Sequence, residues 1–305
     1  MKKYKVFVSI FIIYIIINMV LFPNLYICAT SEGIKAWAVA VLPSVLPFIF
    51  FTKLLFSNLD LSKTSPFLSI PCKTLWNCSG QAFFVFLCSI ISGYPVGAAM
   101  TADLYQSGKI SRSEAFRMCS FCSTSGPMFI IGSVGIAMFH NAKFGYIILF
   151  SHIVGALLNG ILYRKLNATD GFSHGSEIKN NSNALANLIQ DSITGVLSVG
   201  AIIAIFFVII TSLAPVFNLF PKQIAAFLEG AVEITKGCIS LSNNFHGFWA
   251  VVGATFIISF GGISTILQSI SFLSKINMPI KIFVLQKLTH ALLSGVVSII
   301  LFILI

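Results

Sequence analysis

The sequence predicts an all-α integral membrane protein of about seven transmembrane helices plus two re-entrant hairpins in an inverted repeat, and three observations predict it. Composition is the first: 57% of the 305 residues are hydrophobic and only 9% are charged, whereas soluble domains carry roughly 25% charged residues. A mean hydropathy of +0.94 over the whole chain excludes an ordinary water-soluble globule. The second is the length of the apolar segments, and the third is a set of interruptions that recur at matched positions in two halves.

Crossing roughly 30 Å of hydrocarbon takes about 20 apolar residues. Segments 6–27, 36–56, 118–139, 145–163, 193–213, 248–273 and 283–305 meet that requirement. The first is too long for a secretory signal and lacks a small-residue cleavage site, so it is an uncleaved span. Segments 81–104 and 223–241 are interrupted by Gly, Pro or charge, which fits hairpins that enter and leave by one face. With the amino terminus inside, as Lys2, Lys3 and Lys5 require, 15 of the 19 basic residues fall on the cytoplasmic side, Lys287 among them. Lys35, Lys143, Lys222 and Lys236 fall elsewhere, and making either hairpin a full span would break the bias.

The halves echo one another. Ser92-Gly93-Tyr94-Pro95 in the first hairpin stands against Glu229-Gly230 in the second, with Gly93 and Gly230 137 positions apart. Ser123-Thr124-Ser125-Gly126-Pro127 stands against Gly261-Gly262-Ile263-Ser264-Thr265, and His152 against His290 at an offset of 138. Each half then makes three crossings, and consecutive units with an odd number of crossings point opposite ways, as an inverted repeat requires. The predicted organisation is an amino-terminal membrane helix (1–35), a first repeat (36–166), a polar cytoplasmic linker rich in Asn, Ser and Gly (167–187) and a second, inverted repeat (188–305).

Gly and Pro within an apolar span release backbone groups that cannot face lipid and must line a cavity or find partners. A half-helix beginning near Ser123, Thr124, Ser125 and Gly126 presents hydroxyls and free N–H groups at its positive end, where an anion docks. Gly261, Gly262, Ser264 and Thr265 repeat the device. A kink relieved by hydroxyls explains one such site, whereas two at matched positions point to a solute site. Ser92, Gly93, Tyr94 and Pro95 belong to it as the first hairpin tip. Asp191, Glu229, Glu233 and Lys236 are ionisable residues at or within membrane segments. Glu229, Glu233 and Lys236 are spaced to share one helical face, either as an ion-paired cluster or as solute contacts. Pro43 and Pro47 are expected to kink the leading span of the first half, and Gly195 and Gly200 to loosen that of the second.

Other function classes find no support. With 30 Phe against 3 Trp and 7 Tyr, the aromatics form packing and lipid-facing surface rather than a stacking platform for nucleic acid. Seven cysteines, an odd number, make no secreted disulfide framework, and Cys119-x-x-Cys122 fits helix packing better than redox chemistry. No HExxH, GxSxG, phosphate loop or dinucleotide fingerprint is present, so neither an enzyme, a catalytic metal nor a cofactor is expected. Ser111-x-x-Glu114 is a candidate capping box.

Ser92-Gly93-Tyr94-Pro95-Val96-Gly97-Ala98, then Thr101-Ala102-Asp103-Leu104, Gly108 and Ile110-Ser111, then Cys122 to Gly132, resemble the sporulation integral membrane protein family YlbJ, also called SpoVV. The likeness is dense over residues 42–139 and follows by pattern through 229–237 and 259–265. That family is grouped with nucleoside-recognition, or Gate-domain, membrane proteins, similar in fold to concentrative nucleoside transporters. The resemblance implies an outer forespore membrane location and passage of a small anionic solute, dipicolinic acid, during sporulation. Compatible partners are that solute, the lipid bilayer and further copies of the chain, but not nucleic acid. A coupling ion, H+ or Na+, is not readable from the residues. A nucleoside or nucleobase carrier, and a non-transporting factor for spore envelope assembly, are the alternatives.

Overall fold

The computed structural model describes residues 2–43, 46–47, 50–51, 54, 66–167 and 184–304, and every regular element among them is helical. Helix α1 (Lys2–Leu21) meets α2 (Pro23–Ala36) at 107°. Proline is favoured at the first position of a helix and cannot continue one from inside, so Pro23 starts a new helix within an otherwise unbroken apolar run. Helix α2 runs on into a π-helical turn, Trp37–Val41. Helices α3 (Pro66–Trp76) and α4 (Gln81–Ser92) also meet at a sharp bend, of 84°.

Helices α4 and α5 (Val96–Gln106) form the first hairpin. Helix α6 (Arg112–Phe121) leads through an irregular stretch, 122–127, into a π-helical segment, Met128–Met138, and α7 (Ala142–Leu162) closes the half. The second half follows the same order. Helix α8 (Ala184–Phe217) leads, α9 (Lys222–Val232) and α10 (Ile234–Asn244) form the hairpin, α11 (Gly247–Phe260) breaks into α12 (Gly262–Leu273), and α13 (Ile280–Leu304) closes.

Among the described residues, four helical stretches are long and apolar enough to cross a membrane, or up to six if each bent pair is one span. The chain is thus an integral membrane protein by length and composition. The difference from the expected seven spans has identifiable causes. Pro23 divides 6–27, the first break divides 118–139, and 36–56 lies partly outside the described residues, as does nearly all of the 167–187 linker. Pro43 and Pro47 flank residues outside the description. Gly195 and Gly200 do not break α8, which is continuous through both. Gly200 instead makes room for the Trp37 ring, which a Cβ there would approach to 2.6 Å.

The two closing helices, α7 and α13, pack on one another at the centre of the protein. Gly155 allows the contact, since a Cβ there would come within 2.8 Å of the Ser294 backbone. The buried Asn159 amide donates to the carbonyls of Ser120, at 2.7 Å, and Gln286, at 3.0 Å, while its oxygen accepts from Thr289 at 2.7 Å. One side chain therefore knits α6, α7 and α13. Asn159→Leu keeps the approximate volume but removes the amide donor from the Ser120 carbonyl, while Thr289 keeps its bonds to Leu285 and Gln286, and an unpaired buried polar group costs about 1–3 kcal/mol. A lowered melting temperature of the purified protein is the expected result, read by thermal denaturation in detergent.

The connection between hairpin and broken helix ties the halves together on one side. Ser111 caps α6 by accepting from the Glu114 N–H at 3.1 Å, but the Glu114 carboxylate accepts from the Ser79 N–H at 2.6 Å. The expected capping box is therefore half formed, its carboxylate recruited to the start of α4. Arg112 donates to the carbonyls of Ile276 and Asn277, and Lys275 pairs with Asp103 at 3.9 Å. Cys119 and Cys122 are buried free thiols within the packing of the first half.

Candidate functional site

Both hairpin tips and both helix breaks converge. At the first tip, α4 ends at Ser92 and Gly93 takes φ +74°, a left-handed conformation that favours glycine. A Cβ on Gly93 would also stand 2.8 Å from the Gly126 nitrogen, so this tip rests directly on the first break. The second tip uses no glycine. Glu233 is extended (φ −145°, ψ 126°), and its own carboxylate caps α10 by accepting from the Lys236 N–H at 2.9 Å and from the Thr235 hydroxyl at 3.3 Å. Gly230, expected to mark this turn, lies one helical turn earlier and lets α9 pack against Gly237 of α10. The second break is at Gly261 and Gly262, with φ of +90° and +65°. Gly262 abuts the carbonyls of Gly230 and Val232 at the end of α9. Tip rests on break in each half.

The first break is held from within the protein. Ser89 and Thr124 hydroxyls lie 2.7 Å apart, and the Thr124 N–H donates to Ser89 Oγ at 3.1 Å. The Ser125 N–H donates to His152 Nε2 at 2.9 Å, which makes that nitrogen the acceptor and leaves the ring proton on Nδ1 to be donated to Ser259 Oγ at 2.8 Å. His290 donates from Nε2 to the His152 carbonyl at 3.0 Å, and the two imidazoles, tilted by 35°, have their centres 4.7 Å apart. Both rings are buried. His152 thus links the first break to Ser259, two residues before the second, with His290 held against its backbone.

Lys287 is buried beside them. Its ammonium donates to the Tyr94 hydroxyl at 2.7 Å and to the Ser123 carbonyl at 2.8 Å, and lies 4.6 Å from the centre of the Tyr94 ring. The Tyr94 hydroxyl in turn donates to the Ile258 carbonyl at 3.2 Å. The basic-residue count puts Lys287 on the cytoplasmic side, near the start of the expected span 283–305. In the structure it lies within α13, where its charge is satisfied by the first tip and the first break rather than by water.

A cavity of about 80 Å³ sits among these elements. Ser92, Gly93 and Tyr94 of the first tip, Ser125 and Gly126 of the first break, Glu233 and Thr235 of the second tip, and Thr265 and Gln268 beyond the second break line it. Val41, Phe129 and Ile203 supply an apolar wall. The Ser92 hydroxyl is buried without a hydrogen-bond partner. Of the residues singled out in sequence, Pro95, Ser123, Thr124, Gly261, Gly262 and Ser264 form the supporting layer behind this wall rather than the wall itself.

Glu229 is also off the wall, where it accepts from the Ser240 hydroxyl across the hairpin. Glu229, Glu233 and Lys236 do not share a helical face, because the break at Glu233 puts the other two on opposite limbs. Lys236 pairs instead with Glu32 of α2 at 3.4 Å. The Asp191 side chain lies outside the described residues. Lys287, His152 and Gln268 are the contributions that sequence reasoning missed. For Lys287 the signal was present, since a lysine seven residues into an apolar helix is rare.

The chain is similar to the sporulation integral membrane protein YlbJ of Bacillus subtilis (strain 168), at 25% identity, with 95% of this chain and 80% of that protein covered. No family model matches the chain. No solved structure matches it either.

Proposed function

We propose that this protein carries a small anionic solute, dipicolinic acid, across the outer forespore membrane of a sporulating cell, by alternating access of a central site. The observation that carries this reading is the convergence of helix amino termini on one cavity. The π-helical segment begins at Met128, α10 at Ile234 and α12 at Gly262, and residues of each first turn line the wall. Partial positive charge at helix amino termini favours an anion. The unpartnered Ser92 hydroxyl adds a donor, and Phe129 with its apolar neighbours offers a surface for a ring. Similarity to a sporulation integral membrane protein supports the cellular setting.

At about 80 Å³ the cavity is smaller than the roughly 300–1,000 Å³ of pockets for drug-sized ligands. A ring-sized solute therefore requires the tips to part from the breaks, which is the motion alternating access assigns them. The test is uptake of labelled dipicolinate into vesicles carrying the protein. Ser92→Ala and Ser125→Ala are expected to raise KM about tenfold each, the loss of roughly one hydrogen bond to a charged group, with little change in melting temperature. Uptake equal to that of empty vesicles under every ion gradient would remove the carrier reading.

One observation favours a second cargo. The Glu233 carboxylate faces the same cavity, and an acceptor of that kind suits the hydroxyls of a neutral nucleoside, so uridine competition belongs in the same assay.

A further inference from the structure

We infer that the Lys287 ammonium is a built-in cation at the joint of the two repeats, standing where carriers of this architecture would otherwise need a bound metal ion. Its direct hydrogen-bond partners, the Tyr94 hydroxyl and the Ser123 carbonyl, are acceptors, with the neutral imidazoles of His152 and His290 nearby. The Ser123 carbonyl lies just past the end of α6, and Tyr94 relays to the Ile258 carbonyl in the last turn of α11. Helix carboxyl termini favour positive charge, and the Tyr94 ring adds a cation–π contact. The hydrogen bonds and ring contact of Lys287 are all to these two residues, and none is to a carboxylate.

Broken-helix carriers place their coupling sodium ion among such unwound carbonyls and half-helix ends. Here a covalently tethered ammonium bonds the first tip, through Tyr94, to the first break, through Ser123, and the Tyr94 hydroxyl reaches the second half. A lysine from α13, in the second repeat, thus closes the joint of the first. With the positive charge supplied by the chain, the joint has no need of sodium. The inference deepens the carrier reading and rests on it for its consequence in transport, though not for the cation itself.

The test compares melting temperatures of the purified protein in sodium chloride and in N-methylglucamine chloride at equal ionic strength, for the wild type, Lys287→Ala and Lys287→Met. The wild type is expected to melt at the same temperature in both salts. Lys287→Ala melts lower, and sodium or methylammonium, small enough to enter the vacated space, recovers several degrees, about 2–4 °C for each kcal/mol of binding. Lys287→Met fills the space without charge and shows no recovery. A wild type stabilised by sodium, or a Lys287→Met variant that melts with the wild type, would overturn the assignment, and both arms survive if Lys287→Ala fails to fold. Wild-type dipicolinate uptake should agree within twofold between the two salts. Absent uptake alongside the expected melting pattern would count against the carrier reading and leave the cation in place.

Discussion

Gly97→Ala is expected to abolish uptake and to lower the melting temperature by roughly 3–10 °C, from the 1–3 kcal/mol typical of overpacking and the scaling of melting temperature with stability. A Cβ at position 97 would run into the Cys122 carbonyl oxygen, lie 2.7 Å from the Cys122 carbonyl carbon and come 2.8 Å from Ser89 Oγ. The obstacle is backbone, which cannot rotate away as a side chain end would. Moving Cys122 moves Ser123 and Thr124 with it. The Lys287 bond to the Ser123 carbonyl and the Ser89 bond to the Thr124 N–H are lost together. Gly195→Ala is the control: nothing lies within 4 Å of a Cβ there, and alanine within a helix is favoured over glycine by about 1 kcal/mol. That variant should melt at or slightly above the wild-type temperature and transport normally. If Gly97→Ala and Gly195→Ala behave alike, the first tip does not bear on the first break as described.

What was legible in the sequence was the position of each interruption, because backbone that must leave the helix inside a membrane writes itself in Gly, Pro, Ser and Thr. Gly93, Gly126 and Gly261-Gly262 are where the chain turns or breaks. Glu229 and Gly230 do lie in the second hairpin, but its apex carries no glycine to mark it, because the turn is stabilised by a carboxylate cap, Glu233 to the Lys236 N–H. The bend at Pro23 was hidden inside an apolar run whose length alone satisfied the requirement for a span.

The residues that join the halves were the least legible. Lys287 finds its partners at Tyr94 and Ser123, more than 160 positions away, and counting charges by side of the membrane says nothing of either. His152 and His290 drew notice as an echo of the repeat, yet their meaning depends on geometry. One imidazole accepts from a broken helix and the other donates to the first one's backbone. Two histidines at matched positions in the sequence form an asymmetric pair in space.

Glu233→Gln is expected to move the two candidate cargoes in opposite directions. The carboxylate is buried on the cavity wall, and its bonds to Lys236 N–H and Thr235 leave lone pairs free. An anion held roughly 6 Å from an ionised Glu233 is opposed by about 3 kcal/mol at an effective dielectric near 20. Glutamine keeps one oxygen for the helix cap while removing that repulsion. If dipicolinate is the cargo, its KM measured at a pH alkaline enough to keep Glu233 ionised should fall tenfold or more, since each factor of ten needs only about 1.4 kcal/mol. For a nucleoside the same change replaces a charged acceptor with a neutral one, at a cost of about 1.5–3 kcal/mol for the bond to a solute hydroxyl, and KM should rise by at least tenfold. Uptake of both labelled solutes by the wild type and the variant, with melting temperatures measured alongside to exclude a damaged cap, decides between them. A KM for dipicolinate that rises in the variant would mean that Glu233 helps to hold the solute, and the anionic cargo would then have to be given up.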